Sequence, residues 1–573
     1  MNGWPWAAGA LSLVTGAVYL LRLGLPALWD SDEAIYAEIA RHMLRTGDWV
    51  LPVFNGEPRF DKPPLVFWLQ ALAMRLVGPG ELAARLPSWL AAIACVARVG
   101  AFAGRRVSAR AGWMASLVLG TSLLWWVEGR IGLLDTALTL FIALAMESVQ
   151  RVDEGEGPAH LALWWWLALG VLTKGPVAVV LVGAGALLGL GWRRFARHLF
   201  SRWTLAGVAL FAAVVLPWHV AVYRRAGSQW VASYFGYHMW TRFVQPIEQH
   251  GYAWYFYGPV LLAGLLPWSG LGLAALADAA VRSVAGRSGG WPASGQRRPS
   301  RASKEPRRSG HGGRLPVRLL AGWAAAVVVF FSLSRTKLPG YVLPALPPLA
   351  LLLAGWLDER AARPGASFLH AGVARRKDLW LAAGMGCTLV ASLLAGLALW
   401  WARPWVPAEY EAAYRVLFVL PGGMAAASLL ALVAGQRSQE PRVAAAVLGA
   451  ATLVLWAAAA WWLVPAVDSA RPVRPLATAA RQYARQGVRV VSALGDSSTG
   501  FYVDRPVLYV GTAAQVRDLL EQPGTPTVVL VSGTLLEELQ QRYADLQVLA
   551  RSGSAALVGR AAQLPAPSTE GPR

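Results

Sequence analysis

Residues 29–64 read WDSDEAIYAEIARHMLRTGDWVLPVFNGEPRFDKPP and follow directly on the first long apolar run of the chain. From Ser31 to Arg45 the pattern is helical. A capping serine precedes Asp32 and Glu33 in the first turn, Ile35, Ile39 and Met43 share one face, and Glu38, Arg41, His42 and Arg45 share the other. Such a helix lies along a membrane surface. First-turn acids ordinarily complement the helix dipole, but here Asp61-Lys62-Pro63-Pro64 follows. The next apolar piece, LVFWLQALAMRLVG, is too polar and too close to proline to span a bilayer, and reads as a second surface helix. Together these pieces form a platform that presents carboxylates and a lysine at the membrane interface.

The rest of the chain supplies the membrane. Of 573 residues 56% are hydrophobic, only 15% are charged, and 29 are tryptophan, which sets the chain apart from soluble domains. At roughly 20 apolar residues per crossing, about thirteen spans are expected. They lie near 7–28, 82–103, 110–127, 132–150, 159–173, 176–192, 203–223, 254–277, 318–334, 340–357, 379–401, 416–435 and 443–465. The N-terminal run has neither a basic leader nor a small-residue cleavage site, so it reads as a retained first span. Cys95 and Cys387 both fall within apolar runs and indicate no disulfide framework.

The net charge of +21 points to topology rather than nucleic acid, because the basic residues are confined to loops between spans. With the N-terminus inside, the cytoplasmic loops include GRRVSAR (104–110), WRRFARHLFSR (192–202), the 282–318 linker and the segment around Arg375, Arg376 and Lys377, all basic. RVDEGEGP at 151–158 is the acidic exception. The linker, rich in Gly, Ser, Pro and Arg, is expected to be a disordered cytoplasmic loop. The same assignment puts 29–80 outside, along with Asp135, the TKG at 173–175, the 224–253 segment and SRTKLPGY at 334–341. An odd span count also puts the C-terminal region outside. There PLATAARQYARQ and TAAQVRDLLEQ have helical period, while VRVVSALG, RPVLYV, PTVVLVSG and ALVGR read as strands. The domains are therefore 1–467, a polytopic α-helical membrane domain, and 468–573, a small extracytoplasmic α/β domain with a disordered C-terminal tail.

The run DEAIYAEIARHMLRTGDW, then FDKPP with LVFWL, GLLDTALTLF (132–141), TKGP (173–176), YHMWTRF and QHGYAWYFYGPVLLAGLLPW (237–268), and SRTKLPGYVLPALPPLALL (334–352) carries a family likeness. In this order the segments resemble the bacterial branch of the protein O-mannosyltransferase superfamily, most closely the aminoarabinose transferases that modify lipid A. The resemblance implies the C-type (GT-C) glycosyltransferase fold, an inner-membrane location and a polyprenyl-phosphate-linked sugar donor. It also implies inverting transfer to an acceptor hydroxyl of a lipid, glycan or protein at the outer face. A lipid or sugar flippase is the rival class, but it should show repeated halves and ionisable residues near mid-membrane. Here the informative charges cluster in outer loops.

Carried over residue by residue, the resemblance implies catalytic Asp32 and Asp135, with Glu33 beside them. Lys62 is implied at the lipid phosphate, supported by Lys174, Arg242, Arg335, Lys337 and Tyr341. The chemistry agrees, since cations must meet the departing phosphate and a carboxylate the acceptor hydroxyl. A divalent metal ion, Zn or Mg/Mn, is implied at Asp61, completed by either His238 or His250. One departure is plain. The lipid A branch carries Arg three residues after the catalytic Asp, where this chain has Ile35, so a phosphate contact is missing from that position.

Overall fold

The computed structural model describes residues 6–29, 31–245, 252–284, 315–361, 374–438 and 440–564. Most of the expected 282–318 loop and the end of the C-terminal tail lie outside these residues. The chain opens with α1 (Ala7–Leu20), α2 (Ser31–Thr46), the hairpin β1 (Val53–Phe54) and β2 (Glu57–Pro58), and α3 (Leu65–Val77). The helices α4 (Glu81–Arg106), α5 (Ala109–Thr121), α6 (Leu123–Glu128), α7 (Asp135–Asp153), α8 (Ala159–Lys174), α9 (Val177–Leu190), α10 (Trp192–Leu199) and α11 (Arg202–Val231) follow. A π-helix (Ala232–Thr241) continues α11 into α12 (Arg242–Val244). Then come α13 (Tyr257–Gly264), α14 (Ser269–Val284), α15 (Val317–Leu333), a 3₁₀ turn (Pro339–Ala345) and α16 (Leu346–Ala361). Three long helices, α17 (Ala374–Ala402), α18 (Glu411–Ser438) and α19 (Pro441–Ala458), complete the bundle.

Helices thus occupy all thirteen expected stretches. Among the described residues six are long and apolar enough to cross a membrane, namely 81–106, 202–241, 339–361, 380–405, 408–438 and 441–469. A seventh crossing results if α13 and α14, bent by 115°, form one broken span. The first expected span is shorter than 7–28, because helix ends at Leu20 and the carbonyls of Leu23, Pro26 and Ala27 turn to accept hydrogen bonds from Arg85. A buried guanidinium there replaces the helical ladder.

Small residues let helices approach closely. A Cβ added to Gly189 in α9 would lie 2.6 Å from Leu319 Cα in α15, and one added to Gly322 would lie 2.7 Å from the Gly189 nitrogen. Dispersion at such close contacts, rather than apolar burial, drives association of helices in lipid. Fully buried Trp125, Trp268 and Trp356 fill the wider gaps.

After α20 (Val464–Ser469) the chain forms α21 (Val473–Arg485), β3 (Arg489–Ser492), α22 (Ser498–Val503), β4 (Leu508–Tyr509), α23 (Ala513–Glu521), β5 (Thr527–Val531), α24 (Gly533–Arg542), β6 (Leu546–Ser552) and β7 (Ala555–Arg560). The sheet runs β4-β3-β5-β7-β6, with β3 parallel to β4 and β5 and the β7 pairings antiparallel. Every residue of β5 is buried because both faces are covered. Val528 and Leu530 pack with Leu476 and Ala480 of α21, while Val529 and Val531 pack with Leu520 and Leu539 on the other face. Strand β6 and helices α22 and α24 lay outside the sequence reading.

This domain grips the first loop. Asn55 donates to the Val507 carbonyl at 2.8 Å and accepts from the Val507 amide at 2.7 Å. Arg41 of α2 donates to the Phe501 carbonyl at 2.7 Å, and Asp504 pairs with Arg41 and Arg45 at 3.2 and 2.8 Å. Arg471 reaches the Leu28 carbonyl at 2.9 Å, and Asp468 accepts from the Ala27 amide at 2.7 Å.

Candidate active site

Adjacent residues on a helix point about 100° apart, so Asp32 and Glu33 at the start of α2 face different surroundings. Glu33 points inward and is fully buried. Its Oε1 accepts from Arg85 Nε at 2.7 Å and the Gly132 amide at 2.8 Å, and its Oε2 from Arg85 Nη2 at 3.0 Å and the Trp29 amide at 2.6 Å. Burial pushes this carboxyl upward, but Arg85 and the two amides override it and hold the group below the usual carboxylate range. Four donors saturate a carboxylate. The catalytic role expected for Glu33 is therefore corrected: with no accessible surface and no spare acceptor, it anchors the first turn of α2 to α4 and to the loop before α7.

Asp32 remains partly exposed and accepts from the Tyr36 hydroxyl at 3.2 Å, one helical turn on. The Tyr36 phenol is pushed up by burial, then by the negative charges of Asp32, Asp61 and Asp135. Three aspartates from separate stretches thus lie within electrostatic reach of one hydroxyl, which stays protonated and donates to Asp32.

Asp61 follows β2 and is buried, with Arg59 Nε at 3.4 Å and Lys62 Nζ at 3.8 Å from its Oδ2. Burial raises its pKa, but Lys62, Arg59 and His238 together bring it below the ordinary value. His238 sits on the π-helix and is thereby placed within electrostatic reach of Asp61; His250 lies outside the described residues. Among the described residues no group of three or more His, Cys, Asp or Glu could hold a metal ion. Asp61, whose buried Oδ1 has no hydrogen-bond partner among them, and His238 provide two donors, enough only for an ion completed by substrate or water oxygens.

Asp135 opens α7 and accepts from Lys174 Nζ at 2.6 Å, and Lys174 lies 4.5 Å from the centre of the Tyr341 ring. Buried Glu128 is within electrostatic reach of the same lysine. Gly175 ends α8 with φ +82°, and a Cβ there would lie 2.7 Å from Met239 Cε and 2.8 Å from Tyr234 Oη. The TKG glycine is thus the seat of the π-helix, joining Lys174 to the segment that carries His238.

The remaining expected phosphate contacts lie apart. Arg335 is exposed, its backbone amide bonded to the Phe243 carbonyl at 3.0 Å. Lys337 is buried and donates to the Ser334 carbonyl in its own loop, its pKa pushed down by burial and by Arg335. Neither pairs with the aspartates among the described residues. Arg242 opens α12, and its side chain lies outside what is described. The sequence reading missed Tyr36, Arg59, Arg85 and Glu128. The i, i+4 spacing of Asp32 and Tyr36 was a visible signal for the first.

A family model for dolichyl-phosphate-mannose-protein mannosyltransferase matches residues 61–220, which include Asp61, Lys62, Asp135 and Lys174. The undecaprenyl phosphate-alpha-4-amino-4-deoxy-L-arabinose arabinosyl transferase of Edwardsiella ictaluri is 30% identical over 390 residues, 67% of this chain and 64% of that protein. The chain thus spans a little under two thirds of that relative's length. A Sodalis glossinidius protein described in the same words, with the suffix 1, is 31% identical over 449 residues, 76% of this chain and 73% of that one. The crystal structure of ArnT from Cupriavidus metallidurans bound to undecaprenyl phosphate superimposes with a TM-score of 0.73 over 99% of both chains at 23% identity, a likeness of fold.

Proposed function

We infer that this chain, which belongs to the undecaprenyl phosphate-aminoarabinose arabinosyl transferase family, moves a sugar from a polyprenyl-phosphate-linked donor to an acceptor hydroxyl at the outer face of the cytoplasmic membrane. The pairing of Asp61 with Arg59 and Lys62 and of Asp135 with Lys174, within electrostatic reach of the Tyr36 hydroxyl that Asp32 accepts from, carries the reading. Carboxylates and cations alternate there as sugar–phosphate cleavage requires.

Asp32, partly exposed and oriented by Tyr36, takes the proton of the acceptor hydroxyl. The acceptor oxygen bonds to the anomeric carbon from the face opposite the phosphate, giving inversion. The carbon–oxygen bond to phosphate breaks with its electron pair left on the phosphate oxygen. Polyprenyl phosphate departs, its added charge stabilised by Lys62 and Lys174, cations that stand beside Asp61 and Asp135. Asp61 and His238 would hold a divalent metal ion, whose chemistry there is further neutralisation of phosphate. Chelation should then lower turnover and metal repletion restore it; unchanged turnover removes the ion from this account.

The basic loops support a topology with the N-terminus inside and residues beyond 470 outside, over about thirteen crossings of roughly 20 residues each. In a background without Cys95 and Cys387, an external thiol reagent should label a cysteine introduced near 520 and spare one near 300. The activity test uses purified full-length protein in nanodiscs, synthetic undecaprenyl phosphate-linked aminoarabinose or mannose, and lipid A, glycan or protein acceptors. Mass spectrometry should show released undecaprenyl phosphate with a matching mass gain in one acceptor. Donor left intact by folded protein with every acceptor overturns the reading.

A further inference from the structure

The outer cluster contains a cation that no motif singled out. Arg59 leaves the β1–β2 hairpin with its Nε 3.4 Å from Asp61 Oδ2, its guanidinium 5.8 Å from the centre of the Phe54 ring, and Asp32 and Tyr36 within electrostatic reach. Its side chain is 36% exposed. Among the described residues nothing accepts a hydrogen bond from Nη1 or Nη2. The same Asp61 oxygen also faces Lys62 at 3.8 Å.

We propose that Arg59 joins Lys62 in seating the phosphodiester of the lipid-linked donor, with Asp61 as the counter-ion shared between them. The inference rests on the transferase reading and adds Arg59 to the residues that hold its leaving group. One buried carboxylate between two cations leaves positive charge in excess, which a phosphodiester anion complements. As the sugar leaves, the phosphate gains charge, and the Nη atoms of Arg59 form a planar fork suited to two of its oxygens. Position 35 offers no such group. Ile35 is buried with Ile39, Met43 and Phe67 in an apolar cluster, so on this platform the guanidinium comes from the hairpin side and not from α2.

The test compares binding of undecaprenyl phosphate and of undecaprenol to the full-length protein in nanodiscs, for wild type, Arg59→Gln and Arg59→Lys. Wild type should favour the phosphate. Arg59→Gln should weaken phosphate binding about tenfold to a hundredfold, the usual range for a hydrogen bond to a charged group, and leave undecaprenol binding unchanged, which also reports an intact fold. Arg59→Lys should recover only part of the loss, because an ammonium keeps the charge and loses the fork. Arg59→Gln binding the phosphate within twofold of wild type overturns this inference and leaves the transferase reading standing. Wild type that binds both lipids equally overturns the transferase reading, and this inference with it.

Discussion

Glu33 and Asp61 are both buried carboxylates beside arginine at the same end of the bundle, yet their surroundings differ in kind. Around Glu33 every acceptor position is filled by Arg85 or a backbone amide. Around Asp61 the cations stand at 3.4 and 3.8 Å, and Oδ1 has no hydrogen-bond partner among the described residues. A saturated node holds structure together, whereas a loosely paired one can exchange its partners for a substrate. Burial alone therefore does not distinguish scaffold from chemistry; satisfaction of lone pairs does.

The largest expected effect lies on the saturated side. Glu33→Gln leaves the Arg85 guanidinium buried without its counter-charge, and breaking such a pair costs about 3–5 kcal/mol. The protein should lose most of its melting stability in detergent or fail to accumulate; wild-type melting would erase the distinction. Next comes Asp32→Asn, which keeps volume and fold while kcat falls about 10²–10³-fold, roughly 3–4 kcal/mol at the transition state. A folded Asp32→Asn protein with near-normal turnover would return that acid to helix capping. Smaller again is Lys62→Ala, expected to raise donor KM about tenfold through loss of a charge-assisted contact to phosphate. A fall in kcat with KM unchanged would move Lys62 from ground-state binding to the transition state alone.

The smallest effect is a pH slope. Burial pushes the Glu38 carboxyl up to about 7, outweighing its pairing with Arg41, while Arg45, Asp504 and Tyr509 also face it. The folded chain thus holds a proton that the unfolded chain releases near pH 4.3, so this group's contribution to stability is full below about pH 4.3 and is lost as pH rises to about 7. Glu33 and Asp61, held low, act with the opposite sign: their contributions are full above the ordinary carboxylate range and are lost on acidification. Melting of Glu38→Gln should decline less than wild type between about pH 5 and 7. Parallel curves would remove Glu38 as a source of the slope.

Much of this arrangement can be read from local pattern. The α2 amphipathicity, the acid and lysine of FDKPP, the Asp at the start of α7 and the TKG at the end of α8 stand out because charge is rare beside apolar runs. The alternation around residues 489–560 likewise announces a sheet. What escapes reading depends on distance along the chain or on unusual geometry. Glu33 and Arg85 are 52 residues apart, so nothing local marks the acid as saturated. Arg59 looks like an ordinary loop arginine until the hairpin turns it over Asp61. The π-helix that presents His238 departs from the 3.6-residue period on which pattern reading depends. The early end of α1 at Leu20 follows from Arg85 collecting carbonyls, which hydropathy does not register.

The hydrogen bonds between Asn55 and Val507 join residues 452 positions apart, and that separation has a meaning in time. A ribosome adding roughly 5–20 residues per second needs on the order of 20 to 90 s between the two. During that interval α2 and the hairpin exist without the domain that later grips them. The platform is therefore made well before it is fastened, so maturation of the site is timed by synthesis of the domain that carries Val507 rather than by insertion of the platform's own neighbouring helices.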